Sequence, residues 1–169
     1  MPYTLILLFI ISFISRLNAT ETTEPQISTN ALPSASPHFD SLPKEHPELS
    51  TFVLLVNKAE LKDLFNGTGP FTVFAPTDEA FKKLGQKKLD ELMKPEKRDE
   101  LSEILLYHVI PGKYLSKSLK SKEASTINGK PITITIEDNA VMINKAKILK
   151  TDIVGPNGVI HEIDTVLIP

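Results

Sequence analysis

The sequence lacks cysteine and tryptophan altogether, although it has 169 residues. Without cysteine the chain can form no disulfide, no thiolate nucleophile and no cysteine-ligated zinc site. A folded domain of this chain must therefore be held together by a non-covalent apolar core, and the chain is long enough to bury one. The missing tryptophan excludes no class of protein.

A strong charge of either sign is also missing. The 19 basic and 21 acidic residues leave a formal net charge of −2. A general nucleic-acid binder needs a strongly basic surface, so we expect no nucleic-acid partner.

Motifs for catalysis and metal binding are missing as well. There is no GxSxG elbow, no phosphate loop and no GxGxxG turn. The four histidines, His38, His46, His108 and His161, show no metal-ligand spacing. We therefore expect a protein that is not an enzyme and that carries neither a metal nor a cofactor.

Long apolar runs are scarce. The run at residues 5–14 has ten residues, one of them serine, and is too short to span a bilayer as a helix. Its position is typical of the apolar core of a signal peptide, and Ala19 offers a cleavage point. The sequence thus predicts a signal peptide at residues 1–19 and a secreted protein, peripheral to a membrane at most. An uncleaved membrane anchor is the alternative.

The stretch after the predicted cleavage point has the composition of a linker. Residues 20–36 are rich in Thr, Ser, Glu and Pro, and few of their side chains can bury apolar area. Because nothing would offset the entropy lost on ordering them, they are predicted to form a disordered spacer. Residues 37–169 are then the predicted folded domain.

Apolar periodicity divides this domain into two parts. Leu49, Phe52, Val53 and Val56 recur at helical spacing, and similar stripes continue up to Pro111. Beyond that point the period changes, because isoleucine and threonine alternate over residues 132–136 as in a half-buried strand. Helices that precede a run of strands predict an α+β fold.

Capping and turn residues support the same division. Thr77 is placed as the N-cap of a helix. Asn128-Gly129 and Asn157-Gly158 are turn signals of the kind that connect hairpin strands. The second part is therefore predicted to be a hairpin-linked antiparallel sheet.

Three stretches together resemble fasciclin (FAS1) domains. They are GPFTVFAPTDEAF at residues 69–81, the pair Tyr107-His108, and NGVIHEIDTVLIP at residues 157–169. The resemblance implies N-terminal helices packed on an antiparallel β-sandwich or barrel-like core. It also implies a non-catalytic role in cell adhesion or the extracellular matrix, with a cell-surface receptor, a matrix protein or an anionic glycan as partner.

Two adhesion candidates follow from this resemblance. The first is Tyr107-His108, and the second is the pair Asp152-Ile153, where an exposed carboxylate beside an apolar side chain is a possible receptor contact. Both pairs also have a purely structural interpretation. His108 continues an apolar helical stripe, so in the structural interpretation it is a buried, hydrogen-bonded core residue. In the structural interpretation of the second pair, Asp152 begins a strand loop and Ile153 packs inside the domain.

The run His161-Glu162-Ile163-Asp164 invites a metal interpretation. A zinc helix of the HExxH type needs a second histidine one turn later, but that position is Thr165. His161 is therefore predicted to be structural.

The sequence offers two surface features. Asn66-Gly67-Thr68 is an N-glycosylation sequon in a predicted turn, useful only in a eukaryotic secretory pathway. A group of lysines crowds one short region, opposed by Glu123 alone. They are either a patch for anionic glycans or solvated decoration. The group comprises Lys113, Lys117, Lys120, Lys122 and Lys130.

Two other functions stay open at this point. One alternative is that the domain carries a small apolar ligand such as a carotenoid, a function that would need an apolar groove. Another alternative is a purely structural component of a matrix or envelope. For the adhesion module itself, a single domain gives one weak contact, and weak homo-oligomers would give avidity.

Overall fold

The computed structural model describes residues 39–138, 140–155 and 157–169. The predicted signal peptide (residues 1–19) and spacer (residues 20–36) lie outside them. No helix in the described ranges is both long and apolar enough to cross a bilayer. The α-helices there are α1 (Leu42–Glu45), α2 (Ser50–Lys58), α3 (Lys62–Asn66), α4 (Asp78–Leu84), α5 (Gln86–Leu92) and α6 (Arg98–Tyr107). Short 3₁₀ turns lie at Phe39–Ser41, Pro47–Leu49, Pro95–Lys97 and Ser116–Ser118.

All strands except the first follow the α-helices in the described ranges, and the strands form one sheet. They are β1 (Phe71–Pro76), β2 (Val109–Pro111), β3 (Lys122–Ser125), β4 (Pro131–Glu137), β5 (Ala140–Ile143), β6 (Ala146–Gly155) and β7 (Gly158–Ile163). Their order in the sheet is β2-β1-β7-β6-β5-β4-β3. Most strands come after the helices, so the predicted α+β class is confirmed.

The sheet is mixed and open, which refines the expected antiparallel β-sandwich or barrel-like core. β1 and β7 are parallel, with Phe71 opposite Gly158 and Pro76 opposite Ile163. The strand order ends at β2 and β3 without closing. Parallel neighbours require a long crossover connection, and everything between β1 and β7 supplies it. Asn-Gly turns in a sequence indicate only hairpins between adjacent antiparallel strands, so they do not predict the parallel pairing of β1 with β7.

Local sequence explains where the helices begin and how they face. The Thr77 side chain accepts a hydrogen bond from the backbone N–H of Ala80 at 3.3 Å, so the predicted N-cap of α4 is confirmed. In α2 the residues Phe52, Val53 and Val56 are buried, as their helical spacing predicts.

The sheet has an apolar cluster on each of its two faces. Val73 and Ile160 belong to the cluster that contains the helical residues, whereas Phe74 and Ile163 belong to the second. Because side chains alternate along a strand, β1 and β7 are buried on both faces. Strands that are buried on both faces in this way hold the centre of the domain.

Three elements lack a periodicity signal that would predict them. These are α1, β2 and β3, each of three or four residues. Leu42 of α1 is buried in the helical cluster. Periodicity over so few residues cannot be recognised.

Strand β6 is the longest strand of the described sheet. It runs unbroken from Ala146 to Gly155, with register shifts against β7 on both sides of Lys150. Within the second shift, between Lys150 and Ile153, Asp152 adopts a left-handed backbone conformation with φ of 62°. β-Bulges redirect side chains in this way, and here they turn Asp152 toward a neighbouring loop.

Two glycines allow the backbones at the start of β1 and β7 to approach closely. A Cβ atom on Gly158 would lie 1.9 Å from the carbonyl oxygen of Phe71. A Cβ atom on Gly69 would lie 1.8 Å from that of Asn157. No side chain fits at either position, so the parallel pair depends on glycine here.

Replacing Gly158 by alanine is expected to destabilise the fold. Backbone atoms, which cannot rotate away, fill the space that the methyl group would need. We expect Gly158→Ala to lower the free energy of unfolding by about 3 kcal/mol in chemical denaturation.

Gly155 provides the matched control for this substitution. It pairs with Gly158 across the β6–β7 hairpin, but its nearest contact for an added Cβ is 3.9 Å away. Gly155→Ala should change the free energy of unfolding by less than about 1 kcal/mol. Equal losses in the two variants would contradict the steric explanation.

Candidate functional site

The candidate lysines lie largely on one segment that the sheet holds in place. We call residues 112–122 the lysine segment; it carries Lys113, Lys117, Lys120 and Lys122 and no acidic residue. At its start the Thr72 hydroxyl donates to the Gly112 carbonyl at 2.7 Å and accepts from the Tyr114 backbone N–H at 2.9 Å. Thr72 is itself fully buried in β1.

Asp152 holds the middle of the lysine segment. One carboxylate oxygen accepts the Ser116 backbone N–H at 2.7 Å, and the other accepts the Ser116 hydroxyl. Burial alone would raise the pKa of Asp152, but the hydrogen bonds from Ser116 outweigh it and hold this pKa below its ordinary value. Asp152 is therefore a charged anchor for the segment.

His161 links β6, β7 and the lysine segment from beneath. Its Nε2–H donates to the Tyr114 carbonyl oxygen at 2.9 Å, and its Nδ1 accepts the backbone N–H of Asp152 at 3.3 Å. Burial lowers the pKa of His161, so the ring is neutral in this arrangement. The ring also stacks on Phe74 at a centroid distance of 5.9 Å.

These contacts decide what the pair Asp152-Ile153 presents to solvent. Both Asp152 oxygens are engaged by Ser116, and Ile153 is only 8% exposed. The arrangement favours the structural interpretation of the pair. A receptor contact through Asp152 stays a prediction.

Tyr107 and His108 lie inside the domain at the end of α6. The His108 Nδ1–H donates to the Ile104 carbonyl at 2.7 Å, and its Nε2 accepts the backbone N–H of Leu167 at 2.9 Å. The Tyr107 hydroxyl donates to the Pro131 carbonyl at 2.9 Å. Burial lowers the pKa of His108 to about 4. Both rings are buried, and a direct adhesive role for them stays a prediction.

The four lysines of the segment are all exposed, and none forms an ion pair within the ranges that the structure describes. The Lys122 ammonium lies 5.1 Å from the centre of the Tyr114 ring, a cation–π distance. Lys130 differs, because Glu103 neutralises it at 2.5 Å. Lys122 itself begins the edge strand β3.

The sequon asparagine has the exposure that an acceptor needs. Asn66 is the last residue of α3, and both it and Thr68 are exposed. N-glycosylation of Asn66 stays a prediction.

A second polar cluster was not predicted from the sequence. His46 precedes a 3₁₀ turn, Glu48 lies in it, and Glu162 lies in β7, with their ligand-type atoms within 4.8 Å of one another. Burial and the neighbouring Glu48 carboxyl raise the pKa of Glu162 to about 7. Lys150 lies nearby on β6. Glu162 is far from His46 and Glu48 in the sequence, so no spacing motif connects the three residues.

The apolar cavity of the described domain is small. It is bounded by Phe39, Leu64, Phe71 and Ile160 among others, and its volume is about 20 Å³. That volume accommodates about one water molecule. This cavity does not accommodate a carotenoid, and apolar-ligand carriage by this domain stays an untested alternative.

Removal of the Asp152 anchor is expected to loosen the lysine segment. Asp152→Ala deletes both acceptors for Ser116 and should lower the free energy of unfolding by about 2 kcal/mol. Asp152→Asn keeps an acceptor for the Ser116 N–H, a donor toward its hydroxyl and tolerance of the left-handed backbone, so its loss should be about half as large. Chemical denaturation and hydrogen exchange of the Ser116 amide measure the effect; identical values for the two variants would contradict it.

Stability should depend on pH through His108. Its pKa is about 4 in the folded state but 6.5 ordinarily, so the unfolded chain binds the proton first as pH falls. Between pH 6.5 and pH 4, protonation of His108 therefore lowers the free energy of unfolding by up to about 1.4 kcal/mol for each unit that the pH falls. The free energy of unfolding of the natural protein minus that of His108→Gln should shrink as pH falls through this window, because other groups cancel. A constant difference would show that His108 does not titrate as described.

Comparison with known proteins agrees with this geometry. The family model described as "Fasciclin domain" matches residues 47–169. Protein sll1483 from Synechocystis sp. is 42% identical over 71% of this chain and 67% of its own length. Uncharacterized protein sll1735 from the same organism is 35% identical over 78% of this chain and 98% of its own length.

Larger relatives share only this region. Human periostin is 32% identical over 75% of this chain, which corresponds to 15% of periostin. Among solved structures, the FAS1 domain pair of the insect cell adhesion molecule fasciclin I superposes with a TM-score of 0.66. That match is 22% identical and covers 75% of this chain and 49% of the other, so it shows the fold alone. With the family match over most of its length, the chain belongs to the fasciclin-domain family.

Proposed function

We propose that this protein is a secreted, non-catalytic adhesion module that binds anionic extracellular glycans through its lysine segment. The observation that carries the proposal is the set of four exposed lysines without a carboxylate partner in the described part of the chain, on a segment anchored to the sheet. Family membership supports the general class of adhesion modules, since one protein of this fold is described as a cell adhesion molecule.

Charge distribution favours this surface over others. Elsewhere in the described residues, lysines such as Lys62, Lys97 and Lys130 are neutralised by neighbouring carboxylates. The lysine segment contains no acidic residue, so its positive charge remains available. Clustered unpaired charge of one sign attracts an oppositely charged polymer and loses strength as salt is added.

Anchoring of the segment makes it a better binding surface than a free loop. Thr72, Asp152 and His161 each fix a different part of its backbone or its Ser116 side chain. A segment ordered before binding loses less conformational entropy on association. One domain with four lysines still binds weakly, so multivalent display would supply avidity.

A cell-surface receptor or a matrix protein remains the alternative partner, with Asp152-Ile153 and Tyr107-His108 as its proposed contacts. The hydrogen bonds and burial of these residues favour the glycan instead. Export through the predicted signal peptide and a glycan on Asn66 belong to the same proposal.

Binding to immobilised heparin tests the proposal. Lys117→Gln/Lys120→Gln removes two charges from the centre of the segment and should weaken binding at least about tenfold at low salt. Raising the salt concentration should reduce the difference between variant and natural protein, because the interaction is screened.

The matched control removes the same charge elsewhere. Lys62 and Lys97 are exposed and paired with Asp40 and Glu100, so Lys62→Gln/Lys97→Gln should change heparin affinity less than about twofold. If both double variants bind equally weakly, net charge rather than this segment determines binding, and the proposal fails.

A further inference from the structure

The cluster of His46, Glu48 and Glu162 has the composition of a metal site. It offers one imidazole nitrogen and two carboxylate oxygens from two places in the fold, the 3₁₀ turn after α1 and the strand β7. Nitrogen and oxygen donors of this kind bind zinc and related divalent ions.

Glu162 provides an independent reason to look for a ligand here. The residue is only 4% exposed, and its Oε1 is buried without a hydrogen-bond partner. This oxygen lies 3.4 Å from the His46 Nδ1, so it points into the cluster. A buried carboxylate oxygen that lacks a partner is costly and rare in native proteins.

The separations between these atoms fit one small cation. The His46 Nδ1 lies 3.3 Å from the Glu48 Oε1 and 3.4 Å from the Glu162 Oε1. Tetrahedral bonds of zinc to nitrogen and oxygen place neighbouring ligand atoms about 3.4 Å apart. All three ligand atoms lie within 4.8 Å of one another.

Lys150 is the cation that now faces the cluster. Its Nζ lies 3.2 Å from the His46 Nδ1, 3.7 Å from the Glu48 Oε1 and 3.9 Å from the Glu162 Oε1. The two carboxylate distances are long for a charge-assisted hydrogen bond, and the lysine side chain is 50% exposed. Lys150 can therefore turn into solvent when a stronger cation binds.

We propose that His46, Glu48 and Glu162 bind one divalent transition-metal ion of the zinc type, in competition with the Lys150 ammonium. His46 donates Nδ1, and each glutamate donates one oxygen. Three protein ligands leave a fourth position for water or for an oxygen of a partner molecule. The site is separate from the lysine segment and does not depend on the proposed glycan binding.

A metal would also remove the electrostatic conflict in the cluster. Glu162 is buried and lies beside a second carboxylate, that of Glu48, and burial and like charge both disfavour such an arrangement. A bound dication reverses the effect of both, because it stabilises two adjacent carboxylates at once.

Titration of the chelator-treated full chain with ZnCl₂ tests the proposal, with calorimetry for affinity and thermal unfolding for stability. One ion per chain should bind, and the Tm should rise with zinc concentration. Glu162→Gln preserves shape but not charge and should weaken binding at least about tenfold. Lys150→Met removes the competitor and should strengthen binding severalfold.

Glu103→Gln is the control, because Glu103 is an exposed carboxylate paired with Lys130 away from the cluster. It should leave zinc affinity unchanged. Circular dichroism of each variant shows whether it is folded. Absence of zinc binding to the natural protein, equal binding by the natural protein and Glu162→Gln, or weaker binding by Lys150→Met would each overturn the site and leave an ammonium–carboxylate cluster in its place.

Discussion

The parallel contact between β1 and β7 is the constraint on which the rest of the structure depends. It brings the two ends of the domain together, and Gly69 and Gly158 allow the backbones to meet without side chains between them. Because both strands are buried on both faces, they separate one apolar cluster from the other. Helices pack on one side and the hairpin strands β3–β5 on the other, so a fault in this pair would expose both clusters at once.

The same pair determines where polar residues must be satisfied. Thr72 in β1 and His161 in β7 are fully buried, yet both bond to the backbone of the lysine segment. Buried polar groups need such partners, so the segment is held where the core requires it. The order of this surface is thus a consequence of core chemistry, and a binding function gains a prepared surface without added strain.

Sequence reasoning succeeded where the signal was local and failed where it was not. The stripe of Phe52, Val53 and Val56 and the cap at Thr77 were readable because a helix brings near neighbours together. The parallel partner of β1 and the strand β2 were not, because their contacts are far away in the chain. The anchoring of Asp152 by Ser116 depends on bulges in β6, which no turn residue announces.

Glu162 shows why the unexplained polar residue is the informative one. Its neighbour His161 is equally buried, but both ring nitrogens find backbone partners, so packing alone accounts for it. Packing does not account for Glu162, because an apolar side chain in β7 would serve the core at lower cost than a carboxylate beside Glu48. A buried carboxylate is stabilised by a compensating cation. Lys150 supplies one only at long range, which is why the cluster suits a smaller and more highly charged ion.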